Sequence, residues 1–119
     1  MSSAVSPREW GFYIADMLAF CERVHQFTDG LDQTQFENDA LRFDATIRNI
    51  ELIGEAATHI PEIVRAQHRE IPWRMLVATR NQLIHGYLGI DKDIIWSIVT
   101  SDVPALRESL KTVKINFTT

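Results

Sequence analysis

Apolar residues recur along this chain at helical spacing, and no run alternates as a half-buried strand would. Trp10, Ile14, Met17, Cys21 and Val24 fall alternately four and three apart, with Tyr13, Phe20 and Phe27 spaced seven apart beside them. That pattern predicts a helix with a wide buried face. Ser6-Pro7-Arg8-Glu9 supplies its start: a capping hydroxyl, a proline that needs no N–H partner in the first turn, and a glutamate placed to close a capping box. Asp29-Gly30 ends it, because glycine can take the left-handed conformation that terminates helices. A second helix is predicted from Thr34, with Glu37 completing another capping box. Phe36, Ala40, Phe43, Ile47, Ile50, Gly54 and Ala57 then hold the four–three alternation of a helix in a bundle. Gly54 and Ala57 are small enough for a neighbouring helix to approach closely there.

Pro61 and Pro72 each suit a first helical turn, with a short helix around Glu62–Gln67 between them. The helix from Pro72 carries Trp73, Leu76, Val77, Leu83 and Ile84. Gly86 and Gly89 bracket a turn, after which Asp91 caps a region rich in Ile94, Ile95, Trp96, Ile98 and Val99. Ser101-Asp102 with Pro104 is expected to re-cap it, and Val103, Leu106, Leu110, Val113 and Phe117 continue at helical spacing. The sum is an all-α bundle of four long helices and one short one.

Composition narrows the picture without redirecting it. A chain of 119 residues with 45% apolar and 24% charged residues is expected to form one domain, 1–119. No run is long enough to span a membrane, and no basic stretch precedes an apolar block at the N-terminus. A lone cysteine, Cys21 among Leu18, Phe20 and Val24, rules out an internal disulfide and fits a core position in a cytoplasmic protein. The net charge of −4 argues against broad electrostatic capture of nucleic acid, so any RNA contact has to be local.

Chemistry concentrates in Arg80-Asn81-Gln82-Leu83-Ile84-His85-Gly86-Tyr87, at the C-terminal end of a predicted helix. A histidine there can exchange a proton near neutral pH, and arginine offers a planar fork of donors to phosphate oxygens. Together they suffice for RNA cleavage: a ribose 2′-OH attacks the adjacent phosphate, a histidine moves the proton, and an arginine stabilises the more negative transition state. Five residues separate Arg80 from His85, about 140° around an ideal helix. They share a face only if the helix loosens at Gly86 or the arginine stem wraps. Asn81 and His85, four apart, do share one and can hydrogen-bond. By spacing alone a surface ion pair at Arg80 and a helix-end role for His85 remain open.

Arg80-Asn81-x-x-x-His85-x-Tyr87 resembles the Arg-x4-His-x-Tyr motif of HEPN ribonucleases, specifically the HepT-like toxins of prokaryotic toxin–antitoxin pairs. Arg48-Asn49-Ile50-Glu51-Leu52-Ile53-Gly54-Glu55-Ala56 looks like the second-helix signature of that group. Ile71-Pro72-Trp73, Gly89-Ile90-Asp91 and Ile95-Trp96 are also similar to it, so the resemblance runs from about Arg8 to Leu110. It implies a HEPN-type antiparallel four-helix bundle with an additional short helix, dimerised so that two motif helices line one cleft. Arg80 and His85 of both subunits would there converge on one phosphate. It further implies a metal-independent endoribonuclease acting on cellular RNA, and a minimal nucleotidyltransferase (MNT) antitoxin that silences it by moving AMP from ATP onto Tyr87. Asn81 would hold the histidine or the phosphate. No metal and no cofactor is expected.

The remaining titratable groups have plainer readings. Glu51, Glu55 and His59 form a ladder four residues apart, a surface array with a Glu55–His59 contact rather than a metal site. Glu51 or Glu55 can alternatively orient Arg80 from the neighbouring helix. His25 and His68 have no evident partners and are expected in solvent. Trp10, Trp73 and Trp96 occupy packing positions. Two other functions stay open: a non-catalytic HEPN module that docks or assists a nucleotidyltransferase, which the acidic balance favours, and a plain helical interaction domain.

Overall fold

Ser6 opens the first helix as its sequence predicts. The Ser6 hydroxyl accepts the Glu9 amide at 3.2 Å, and the Glu9 carboxylate accepts the Ser6 amide at 3.4 Å. Helix α1 then runs Pro7–Thr28, and Gly30 takes φ +78° just beyond it. The computed structural model describes residues 6–86 and 89–118, without the side chains of 7 and 114–118. Tyr87 and the side chain of Phe117 thus lie outside the described residues.

Past α1 the chain departs from expectation. Asp32, not Thr34, caps the next helix: its carboxylate accepts the Gln35 amide at 2.8 Å, and Gln35 returns the contact at 3.0 Å. Helix α2 covers only Gln33–Asn38. Asp39, extended at φ −102° and ψ 90°, starts α3 (Ala40–Ala57) by accepting the Arg42 amide at 3.1 Å. A short carboxylate competes for backbone amides, so an aspartate inside a periodic run serves better as a cap than as an interior residue. The single long helix expected here is therefore two, with a corner at Asp39. The corner leaves Ala40 exposed while Phe36, Ile47, Ile50, Gly54 and Ala57 stay buried.

Helices α4 (Glu62–Gln67), α5 (Trp73–Gly86) and α6 (Lys92–Ser97) follow. Asp91 caps α6 through the Asp93 amide at 2.7 Å. The expected re-capping at Ser101-Asp102 does not occur. Instead a π-helical turn, Ile98–Asp102, leads straight into α7 (Val103–Thr118), with the Val103 amide donating to the Ile98 carbonyl. Pro104 has no N–H for the preceding turn, and its ring crowds a carbonyl there. Widening the ladder by one residue accommodates both without ending the helix. Three short segments, α2, α4 and α6, accompany the long helices where one was expected.

Two contacts fix the direction of packing. Arg42, at the start of α3, donates to the Phe27 carbonyl at the end of α1 at 3.1 Å. His59, just past α3, stacks on Tyr13 near the start of α1 with ring centres 4.4 Å apart. The two helices are therefore antiparallel. α1 also packs on α7, and α3 on α5. Ile14, Met17, Cys21 and Val24 meet Ile47, Ile50, Ile53, Leu106, Leu110 and Val113 in the common core. Trp73 is buried and Trp96 packs on Phe36, as expected of packing residues. Ile94, in contrast, points outward. Among the described residues there is no strand, and no helix is long and apolar enough to cross a membrane. The fold is an all-α HEPN-type bundle.

Burial decides the chemistry of two groups. Cys21 is fully buried, and desolvation, helped by the charge of Glu22, pushes its thiol up to about 12. A thiol reagent at pH 8 is expected to label it in denaturant far faster than in buffer, because only the thiolate attacks and only opened molecules expose it. Folded and denatured rates within about tenfold of each other would contradict this placement. His68, expected in solvent, is instead largely covered: its side chain is 16% exposed, and its Nδ1 lies 3.7 Å from Glu70. The turn that carries it is drawn inward by the Trp73 indole, which donates to the His68 carbonyl at 3.0 Å.

Candidate active site

α3 and α5 meet at Gly54. A Cβ there would overlap the Arg80 Cβ and come within 2.6 Å of the Leu76 carbonyl oxygen, so only glycine permits this approach. The contact is the one its place in the α3 seam anticipates. It lays the Arg80 stem along α3 and brings the guanidinium to Glu55, the residue after Gly54. Arg80 Nη2 donates to Glu55 Oε1, and Nη1 donates to Asn81 Oδ1 at 2.9 Å.

Glu55 also meets the other end of its ladder. Its Oε2 lies 3.5 Å from His59 Nε2, whose ring is the one stacked on Tyr13. One carboxylate thus joins α5 to the end of α3 and, through that stack, to α1. Glu51 takes no part: its carboxylate pairs with Arg48 at 3.2 Å on the same helix. The Arg80 and Glu55 side chains are 28% and 46% exposed, so their ion pair contributes at most about 1 kcal/mol to stability. Its consequence is orientation. Both sides of the guanidinium fork are held by oxygen acceptors rather than left to wander.

Asn81 and His85 behave differently from their expected pairing. Asn81 is engaged by Arg80, and His85 is exposed with no hydrogen-bond partner among the described residues. α5 remains helical to Gly86, which takes φ +150°. The helix does not loosen between Arg80 and His85, so Arg80 sits against α3 while Asn81 and His85 look outward. The arginine stem does wrap, far enough to reach Asn81. One chain therefore brings together Arg80, Asn81 and Glu55 and leaves His85 apart. Leu83 anchors the segment at 2% exposure, whereas Ile84 beside His85 is 47% exposed. The Glu55–His59 contact is the one the ladder predicts, whereas Tyr13 is a neighbour of the site that sequence spacing did not reveal. The Tyr13–His59 stack joins residues 46 positions apart, and periodicity within one helix carries no trace of it.

Comparison with known proteins places the chain among ribonucleases of one family. Residues 17–113 match the family described as ribonuclease HepT-like. A Methanocaldococcus jannaschii protein provisionally named an RNase is 36% identical over 109 residues, covering 92% of this chain and all of that one. A Thermococcus cleftensis protein provisionally named ribonuclease HepT is 37% identical over 95 residues, 80% of this chain and 86% of its own. A Caldanaerobacter subterraneus relative, also provisionally named an RNase, is 31% identical over 101 residues, 85% of this chain and 90% of its own. No solved structure matches the chain. The fold is that of a HEPN-type helical bundle, and the chain belongs to the HepT-like ribonuclease family.

Proposed function

We propose that this protein is the endoribonuclease toxin of a HEPN/MNT-type toxin–antitoxin pair, cleaving cellular RNA without a metal ion at a cleft between two copies of the chain. The observation that carries the reading is Arg80. Its guanidinium is held beside α3 by Glu55 and Asn81, five residues before a solvent-facing histidine that has no hydrogen-bond partner among the described residues. In one chain the two reactive groups face different ways. A second copy docked along α5 supplies the missing geometry, each Arg80 facing a His85 across the cleft.

In the reaction, Arg80 binds the scissile phosphate and stabilises the charge that builds on its oxygens. His85 takes the 2′-OH proton or returns one to the leaving 5′-oxygen. The 2′-oxygen bonds to phosphorus as the bond to the 5′-oxygen breaks. Asn81 and Glu55 position the guanidinium. Tyr87, two residues past His85, is the point of control: its hydroxyl attacks the α-phosphorus of ATP on an MNT partner and releases pyrophosphate. The resulting phosphodiester brings bulk and negative charge where the RNA phosphate has to sit.

Incubation of the purified protein with total RNA in a chelating buffer is expected to yield fragments with cyclic phosphate or 3′-phosphate ends. Expression of the wild type should arrest growth and His85→Ala should not; arrest by His85→Ala, together with no cleavage in vitro, sinks the enzyme reading. Mass spectrometry of Tyr87 after incubation with the neighbouring reading frame's product and ATP tests the control step, and an unmodified tyrosine removes it. Glu55→Ala is expected to slow cleavage about tenfold while changing stability by less than about 1 kcal/mol, since it releases a surface ion pair but not the arginine. An unchanged rate would show that Glu55 does not position Arg80.

A second reading draws on the same ion pair. An arginine paired with a carboxylate, on a chain of net charge −4, also suits a non-catalytic HEPN module that docks or assists a nucleotidyltransferase. Absence of RNA cleavage together with tight binding of the MNT partner would favour it.

A further inference from the structure

Charge is spread unevenly along this chain. Between Ile63 and Ile90 there are four arginines, Arg65, Arg69, Arg74 and Arg80, opposed only by Glu70. That is a local balance of +3, and the other residues, with eight basic against fifteen acidic side chains, carry −7. Three of the four arginines line one pocket. It measures about 570 Å³, lies between α4 and the start of α5, and has Arg65, Arg69, Ile71, Trp73 and Arg74 in its walls together with Glu62. Neither Arg80 nor His85 lines it.

The three arginines are not equivalent. Arg65 is committed to the fold, donating to the Ile60 carbonyl at 3.1 Å and the Ala57 carbonyl at 2.7 Å, where α3 ends. Arg69 and Arg74 are exposed, and among the described residues neither has an acidic or hydrogen-bonding partner. Two free guanidinium forks in one pocket of an otherwise acidic chain are suited to an anion with several oxygens.

Arg74 is also in register with the candidate active site. Arg74, Ala78, Asn81 and His85 follow one another by four, three and four along α5, and all are exposed. One stripe of the helix therefore carries all of them. Eleven residues at 1.5 Å each place Arg74 about 16 Å from His85 along the axis. Phosphates of a stacked strand advance about 3.4 Å each, and more when the strand is extended. A strand lying along this stripe with its scissile phosphate at His85 reaches Arg74 within about five nucleotides.

We propose that Arg69 and Arg74 form a second subsite, taking a backbone phosphate of single-stranded RNA within about five nucleotides of the bond cleaved at Arg80 and His85. The inference rests on the nuclease reading above and extends it. Forks that grip phosphate carry no base code, so the subsite lengthens the required substrate without selecting its sequence. Glu62, in the same pocket, limits the attraction.

The full chain is titrated with 2′-O-methyl RNA, which lacks the attacking hydroxyl, as a dinucleotide and as an octanucleotide. Arg69→Ala/Arg74→Ala is expected to bind the octanucleotide about tenfold more weakly than the wild type. Its log–log salt dependence should be shallower by about 1.4, at roughly 0.7 for each single-strand phosphate that is no longer neutralised. Dinucleotide binding should not change. Arg23→Ala/Lys111→Ala removes equal charge elsewhere and should leave octanucleotide binding unaltered. Equal octanucleotide affinity in the wild type and the Arg69/Arg74 variant, equal loss in the control pair, or equal loss on both lengths overturns the subsite. Cleavage of an unmodified octanucleotide by the wild type is scored separately. Its failure alongside the octanucleotide binding difference would remove the nuclease and keep the phosphate site.

Discussion

His85→Ala is expected to lower kcat on RNA by about 10²–10⁴-fold, the usual contribution of a positioned general acid or base. The thermal midpoint should hardly move. His85 is exposed and has no partner among the described residues, and a surface substitution of that kind stays within about 0.5 kcal/mol. Activity and stability are thus separated by one residue, which a folding defect could not imitate. Arg80→Ala should cost about 10²–10³-fold, as loss of one preorganised donor to a developing charge does. If both groups serve one step, as proposed, the double variant should be little worse than the worse single. Their placement adds a sharper test. Arg80 lies against α3 while His85 faces solvent, so in the proposed dimer the cleft would be completed by residues of both copies. Mixing the two inactive variants under conditions that exchange subunits should therefore restore cleavage that neither shows alone. A mixture as inactive as its parents would mean that Arg80 and His85 do not act across the interface, and a single His85→Ala at wild-type rate would remove His85 from the chemistry.

What the sequence made legible here is what one helix decides for itself. The Ser6–Glu9 box, the Trp10–Val24 seam and the Gly30 terminator are encoded within a few residues of where they act, and all appear in the structure. So does the motif helix, whose Arg80 and His85 can be placed on different faces by angle alone. The misplaced features depend on competition between local signals. Asp32 and Asp39 outcompete Thr34 because each has an acceptor within reach of a free amide, and the hydrophobic period reads through that corner unbroken. Pro104 with Ser101-Asp102 resembles a stop, yet a π-helical turn absorbs the proline because Ile98, Val99, Val103 and Leu106 keep both sides of it buried. The third kind of feature is not local at all. Whether Glu51 or Glu55 reaches Arg80 depends on the rotation of α3 against α5, and Gly54 fixes that rotation by contact. Adjacency of Glu55 to the one glycine in the seam was the available signal. Nothing in the chain announced the Tyr13 ring under His59.

Gly54→Ala tests that fixed contact, and two effects of opposite sign have to be weighed. Alanine is the better helix former by about 1 kcal/mol, so in an exposed stretch of α3 the change would stabilise the protein. At Gly54 the new methyl would overlap the Arg80 Cβ and sit 2.6 Å from the Leu76 carbonyl oxygen. Neither neighbour is the free end of a flexible side chain, so relief requires α5 to move as a body. Overpacking of this kind costs about 1–3 kcal/mol and sometimes more, and the buried face shared by the two helices raises it toward the upper end. Packing wins: the net loss is expected to be about 2 kcal/mol, a fall of roughly 8 °C in the thermal midpoint. Activity should fall further than stability explains, since a displaced α5 carries Arg80 away from Glu55 and misplacement by about 1 Å can cost 10²-fold. Cleavage is therefore measured well below the midpoint, where the variant is fully folded by circular dichroism. A variant as stable as the wild type would show that the helices are not held together at this residue. A destabilised variant with a normal rate would show that the contact supports the bundle without aiming the arginine.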